Sequence, residues 1–396
     1  MSDVTFSAAE LQQLKQKLKP APEARPCAVV ARAPPRDVYG RLAAPAAPEA
    51  HPCAVVAHAP PRFDPVAQRA ELLAHLDAEG YAVVADVFDG DHAALARARA
   101  LQWDFLEGLP GARARRDDPA TWTDAAGWLP DPGNGIVNGF GFGQSAAQWA
   151  LRLRPRVRRA FEAVWGTADL LVSFDGGNMV RPARAGAPWA PTRGGWWHVD
   201  QNALRAGQRG RCCVQGLVTL TDANAATGGL CVVPRSHRDF AALCARAPLA
   251  RAKGAFVPVD ARDPLLARGG VLVCARAGDL ILWDSRTAHC NTPALAPAEE
   301  AEEEEEEGRA KRDPAVSLQR QVGYVCMTPA RWATAETLAR RRDAFVRGES
   351  TSHWPHEFVV AGVGLPDAPD NDPDAISPEQ RRLVGYDRPA PGCAVM

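Results

Sequence analysis

From Leu170 onward the chain consists of short β-like runs broken by glycine and proline, and this texture limits what it can fold into. The runs are LLVSF (170–174), RCCVQGLVTL (211–220), LCVVP (230–234), GGVLVC (269–274), DLILW (279–283) and RQVGYVCM (320–327). Many short strands without helices between them point to a sandwich or barrel. Upstream the pattern differs. VAQRAELLAHLDAEG reads as an amphipathic helix that Gly80 closes, YAVVADVF as a strand, and DHAALARARALQWDFLEGL as a second helix. The expected fold class is mainly β with flanking helices that buttress it on the N-terminal side.

The segment before these elements carries a duplication. APEARPCAVVARAPPR at 21–36 returns as APEAHPCAVVAHAPPR at 47–62, with 14 of 16 positions identical. Two copies rich in Pro and Ala are too few and too poor in large apolar residues to bury a repeat face. Residues 1–65 are therefore expected to be a disordered N-terminal segment, with the folded domain running over 66–396. Cys27, Cys53, His51 and His58 lie within the repeat, but their spacing matches no good ligand pattern. The acidic run within 298–313 reads as a solvated loop. The Pro- and Asp-rich stretch from Gly362 reads as a tail lying loosely on the surface.

Charge and cysteine usage narrow the function classes. The 46 basic and 47 acidic side chains nearly cancel, so no nucleic-acid or anionic-membrane partner is implied. None of the ten cysteines forms a CxxC pair, which leaves a zinc ribbon without support. Cys231, Cys274 and Cys326 sit in apolar runs where a free thiol acts as a small hydrophobe. Reduced cysteines, no secretory apolar core near the N-terminus and no apolar run of membrane-spanning length lead to the expectation of a soluble, cytoplasmic protein.

The chemistry is concentrated in GGWWHVDQN (194–202). In an extended chain His198 and Asp200 point to the same face, because strand side chains repeat every two residues. DLILWDSRTAHCN (279–291) offers His289 as a third ligand at the end of an apolar strand. Two imidazoles and one carboxylate on one face of an octahedral ion leave open positions, as oxygen-activating iron(II) requires. Alone, HxD is weak, and a histidine hydrogen-bonded to a neighbour is the plain alternative for His198.

What gives the motif weight is an ordered set: HxD, then TGGLCVVPRSH (227–237), then DLILWDSRTAH ending in His289, then a strand opening with Arg320. Their order and separations resemble the phytanoyl-CoA dioxygenase family of Fe(II)- and 2-oxoglutarate-dependent oxygenases, from about residue 66 to 330. The resemblance implies a double-stranded β-helix, a jelly-roll or cupin-like barrel, with iron held by His198, Asp200 and His289. It also implies that Arg320 pairs with the far carboxylate of 2-oxoglutarate. A permanently charged guanidinium suits a buried carboxylate, which it can bond bidentately. The implied reaction is oxidative decarboxylation of 2-oxoglutarate to succinate, coupled to attack on a substrate C–H bond. Molecular oxygen and a small-molecule substrate are the partners, and ascorbate is a candidate reductant.

One departure stands out. In the family this arginine follows the distal histidine closely, whereas 30 residues separate His289 from Arg320. Residues 294–316 are therefore read as an inserted loop; if Arg309 or Arg312 is the true partner, the strand assignment fails. Gln215 is placed on the strand after HxD, facing the interior within reach of cosubstrate or substrate, with a backbone-satisfied core glutamine as the alternative. Gly228 and Gly229 are expected to make a tight turn, and Ser236 and His237 to be structural. One of Trp196 and Trp197 is expected to wall the pocket while the other packs outward. His353 and His356 receive no role. GNGIVNGFGFG (133–143) lacks the context of a phosphate loop and reads as a flexible lid or rim. Two rival readings remain: a cupin-type metalloenzyme that does not use 2-oxoglutarate, and a non-catalytic binding barrel.

Overall fold

The computed structural model describes residues 53–182, 186–251, 254–295, 318–361 and 371–387, all within one unit of the chain. The β-like runs pair into two sheets. The smaller has the order β1 (Val55–His58), β11 (Gly270–Val273), β9 (Gly229–Val232), β13 (His289–Thr292), β7 (His198–Val199), β10 (Val257–Pro258). The larger has the order β2 (Arg62–Phe63), β3 (Tyr81–Val84), β12 (Leu280–Asp284), β8 (Val214–Thr219), β14 (Arg320–Pro329), β6 (Gly177–Val180), β4 (Ile136–Val137), with β5 (Leu170–Val172) also paired to β14. From β6 to β9, and again from β11 to β14, successive strands alternate between the sheets. That is the winding of a double-stranded β-helix. The pairs are antiparallel except β1 with β11 and β2 with β3.

Strand alternation decides what lies between the sheets. On β12, Ile281 and Trp283 join Leu230, Val232, Val273, Leu217 and Val322 in a core contributed by both sheets. The intervening Leu280 and Leu282 face outward and pack with Leu72 and Leu76 of helix Arg69–Glu79 and with Phe161 of helix Pro155–Trp165. On the smaller sheet, Cys231 and Val233 face out against Phe240 and Leu243. Each sheet is thus covered on its outer face, so its strands read as apolar runs rather than as polar–apolar alternation. The helices lie mainly on the larger sheet, and the two N-terminal ones buttress it.

Three expectations require correction. Residues 53–65 are not a free segment. The second copy of the repeat supplies β1, whose Val55–His58 pair in register with Gly270–Val273. The CAVV stretch has enough β-branched character to complete a sheet edge once β11 offers one. The first copy lies outside the described residues, as do 1–52 and the acidic loop from 296 to 317. At the other end, Ser377 and Gln380 form a reciprocal capping box with Pro378 at the first turn, starting a helix over Pro378–Val384. That helix buries Leu383 and Val384 in the main core, and the buried Arg341 guanidinium donates to their carbonyls. This part of the C-terminal stretch is docked rather than loose. The Gly-rich stretch 133–143 is likewise pinned, because Ile136 and Val137 form β4 against β6.

Gly80 and Gly228 hold positions that only glycine fits. Gly80 ends helix Arg69–Glu79 at φ 85°, and a Cβ there would lie 2.5 Å from both His237 Nδ1 and Thr287 Oγ1. Gly228 sits at φ 69°, where a Cβ would approach the Thr292 carbonyl oxygen to 2.3 Å. Its turn therefore sets the start of β9 against the end of β13, where Gly229 pairs with Thr292.

Asp279 is fully buried and accepts Arg62 Nε and Nη2 at 2.8 and 2.6 Å, with two backbone N–H groups on the same carboxylate. Arg62→Ala leaves that charge half-satisfied, and is expected to cost about 2–4 kcal/mol in denaturant unfolding. Unchanged stability would mean that residues 53–65 are not part of the cooperative fold.

Candidate metal centre and anion cleft

The local sequence places the donors. β7 is only two residues long and Trp197 and Val199 pack outward, so His198 points between the sheets. His289 opens β13, with Ala288 and Cys290 packed outward on either side, and pairs directly with His198. The Ala288 amide donates to Ser236 Oγ at 2.8 Å, which sets the start of that strand. Asp200 follows β7 and donates its backbone N–H to the Ser285 carbonyl at 2.9 Å. The three side chains converge. His289 Nε2 lies 3.2 Å and His198 Nε2 3.5 Å from Asp200 Oδ2, and all three residues are buried.

The hydrogen bonds select a tautomer. His198 Nδ1 lies 3.1 Å from the Trp196 carbonyl and His289 Nδ1 lies 2.9 Å from the Thr287 carbonyl. A carbonyl accepts only, so Nδ1 carries the proton and Nε2 turns its lone pair toward Asp200. Burial would raise the Asp200 carboxyl, but the histidines around it, His353 first and then His198 and His289, hold it well below the usual range. Burial, and then the neighbouring His198, push His289 below the ordinary histidine value. A carboxylate and two imidazoles whose Nδ1 atoms are held on carbonyls, so that Nε2 faces the carboxylate, are the donors that a divalent ion requires. The donor set fits a hard to borderline metal such as iron(II).

Gln215, on β8, is placed by the same alternation, but its amide is engaged. Nε2 donates to Asp200 Oδ2 at 2.9 Å and to Ser285 Oγ at 3.2 Å. It therefore braces the carboxylate at the oxygen that both histidines face. Trp196 stacks on the His198 ring at 5.0 Å and 10°, with Phe256 at 4.8 Å, while Trp197 is buried in the outer cluster. Ser236 and His237 serve the framework: Ser236 as above, and His237 Nε2 at 3.1 Å from the Asp77 carbonyl.

Arg320 opens β14 and points into the same inter-sheet space as Val322. It is buried, and its Nε and Nη2 both donate to Asn178 Oδ1, at 3.1 and 2.9 Å. Among the described residues no carboxylate pairs with it, and burial lowers its affinity for the proton. Arg309 and Arg312 lie outside the described residues. The guanidinium borders a narrow cleft lined also by Leu217, Thr219, Leu230, Ile281 and Asn291. Leu217 and Asn291 each lie two residues along their strands from Gln215 and His289, a step of about 7 Å, so the cleft adjoins the three donors. Tyr324, pushed up to about 12 by burial, hydrogen-bonds with Asn291 at its side.

Sequence reasoning missed His353. Its Nε2 lies 4.0 Å from Asp200 Oδ2 and has no hydrogen-bond partner among the described residues. It arrives from a segment more than 60 residues beyond His289, with no spacing to announce it. His356 does not join the cluster: its Nδ1 is 3.1 Å from Thr328 Oγ1, and burial pushes it down to about 4. Among the described residues all eight cysteines are free thiols, and no helix is long and apolar enough to cross a membrane.

The model of the phytanoyl-CoA dioxygenase (PhyH) family matches residues 76–293, which contain both histidines and Asp200. The chain belongs to this family. The resemblance drawn from the motifs therefore holds, and the protein is a dioxygenase-type enzyme. Ava biosynthesis cluster protein O of Aspergillus versicolor is 28% identical over 254 residues, covering 61% of this chain and 73% of that protein. Among solved structures, GlcNAc Inducible Gene 2 (GIG2, DUF1479) of Candida albicans is similar over 82% of this chain and 78% of its own, with 14% identity and a TM-score of 0.50. The epimerase SnoN, solved with Fe3+, alpha-ketoglutarate and nogalamycin RO, is similar over 67% of this chain and 84% of its own, with 17% identity and a TM-score of 0.44. His289 falls near the end of the family match, while Arg320 and His353 lie beyond it.

Removing the amide that bonds Asp200 tests how far the carboxylate depends on it. Gln215→Leu is expected to weaken divalent-metal binding by about 10- to 100-fold, read by calorimetric titration with Mn(II). An affinity unchanged from the parent would show that Asp200 is held by other contacts.

Proposed function

We propose that the protein is an Fe(II)- and 2-oxoglutarate-dependent oxygenase that hydroxylates a small-molecule or lipid-like substrate and releases succinate and carbon dioxide. His198, Asp200 and His289 hold the metal in this reading, and Arg320 receives the far carboxylate of 2-oxoglutarate. The observation that carries it is the buried guanidinium of Arg320, which no described carboxylate neutralises, in a cleft adjoining three convergent metal donors. A desolvated charge without a counter-charge is costly, and an anionic ligand supplies what the protein omits. A dicarboxylate with one end at Arg320 and its keto acid toward the metal answers both features.

Iron(II), when bound, supplies oxygen activation and attack on a C–H bond, driven by decarboxylation of the keto acid. The chain's own residues do the rest. The Trp196 and Thr287 carbonyls hold both imidazoles in the metal-binding tautomer. Gln215 fixes Asp200, and so acts on the cosubstrate through the metal centre rather than by touching it. Leu217, Leu230 and Ile281 exclude water from the path between Arg320 and the donors, which strengthens each electrostatic contact there. With a metal bound, the carboxylate of Asp200 would take the place that a halide needs, which favours hydroxylation.

The test is succinate release with Fe(II), ascorbate, oxygen and 2-oxoglutarate. Basal turnover is expected in the parent and none above background in Asp200→Ala. In Arg320→Ala the KM for 2-oxoglutarate should rise on the order of 100-fold, the loss typical of breaking a buried charge pair. Activity indifferent to 2-oxoglutarate, or to Arg320→Ala, would favour a metalloenzyme of another type.

A further inference from the structure

Asn178 lies on β6 and is fully buried. It pairs in register with Val322, so it sits diagonally beside Arg320, which pairs with Val180. Its side chain faces two ways. Oδ1 accepts both Arg320 Nε and Nη2, while Nδ2 donates to the Asn134 carbonyl at 2.5 Å. That arrangement fixes the amide orientation, since the flipped amide would set NH2 against guanidinium and carbonyl against carbonyl. Every polar atom of the side chain is used.

An aspartate of the same shape would accept the same two guanidinium N–H groups and bind them more strongly. It would also cancel the charge of Arg320 and face the Asn134 carbonyl with a second acceptor. The neutral amide aims the guanidinium and leaves its charge unspent. Tyr324 is the nearby titratable group that Arg320 senses, and the burial that pushes it up to about 12 keeps it neutral.

We propose that Asn178 is the positioning residue that aims Arg320 at the cleft without compensating its charge, and that its neutrality determines that the cleft takes a carboxylate ligand. The inference rests on the reading that Arg320 receives 2-oxoglutarate, and adds to it how the chain leaves that charge unpaired for the ligand. It also links the arginine to the 133–143 stretch, because the same amide anchors the Asn134 carbonyl beside β4.

The experiment is calorimetric titration of 2-oxoglutarate into Mn(II)-loaded protein, comparing the parent with Asn178→Asp and Asn178→Ala. Asn178→Asp is expected to bind about 100-fold more weakly or worse, because the introduced carboxylate competes with the ligand for Arg320. Asn178→Ala, which frees the guanidinium without neutralising it, is expected to lose about 10-fold. Mn(II) affinity should stay within about threefold of the parent in both. Equal losses in the two variants, or parallel loss of Mn(II) binding, would assign Asn178 a packing role and overturn the inference. So would 2-oxoglutarate binding to Asn178→Asp within about threefold of the parent. Failure of the parent itself to bind 2-oxoglutarate would instead defeat the cosubstrate reading, and this inference with it.

Discussion

Polar side chains between two apolar sheet faces are expensive unless something satisfies them, and this constraint organises the centre of the molecule. The inter-sheet space is lined by Leu217, Leu230, Val232, Ile281 and Val322. Into it the strands project two imidazoles, a carboxylate, an amide and a guanidinium. The imidazoles are tied at Nδ1 and open at Nε2. The carboxylate is supported by Gln215. The guanidinium is aimed by a neutral asparagine. Each group is held in place without being neutralised, an arrangement suited to a metal and an anion supplied from outside.

The fold makes this possible by pairing strands that are distant in sequence. β7 and β13 meet at a single pair, His198 with His289, so the strand register sets the donor spacing. β8 lies between β12 and β14 in the other sheet, which brings Gln215 opposite Trp283 and Cys326. Outward-facing neighbours such as Trp197, Val199 and Cys290 are buried under the helix Phe240–Arg246 and its surroundings. A slip of one residue would turn the histidines out and these apolar groups in, so burial itself enforces the register.

Much of the site was legible because it is written in local patterns. HxD works through the two-residue strand period, whereas Arg320 came from the family resemblance and its place at the head of an apolar run. What stayed hidden depends on tertiary partners. Gln215 was placed correctly on the inner face, yet whether its amide met ligand or protein turned on Asp200 and Ser285 arriving from other strands. Asn178 matters only because β6 pairs with β14, and His353 only because the chain returns after Val346. Strand β1 was misjudged because composition marked the repeat as unstructured, while the edge of β11 gave its valines something to pair with. The helix at Pro378 was legible but overlooked: Ser377, Pro378 and Gln380 spell a capping box within a stretch that its Pro and Asp content made look loose.

The central claim is that one ion and one dicarboxylate complete this inter-sheet space. Anomalous diffraction at the manganese edge, from crystals grown with Mn(II) and 2-oxoglutarate, tests it most directly. The account predicts a single peak within bonding distance of His198 Nε2, His289 Nε2 and an Asp200 oxygen, with a carboxylate of the bound ligand against Arg320. A peak elsewhere, or an ion at the three donors with the ligand far from Arg320, would contradict it.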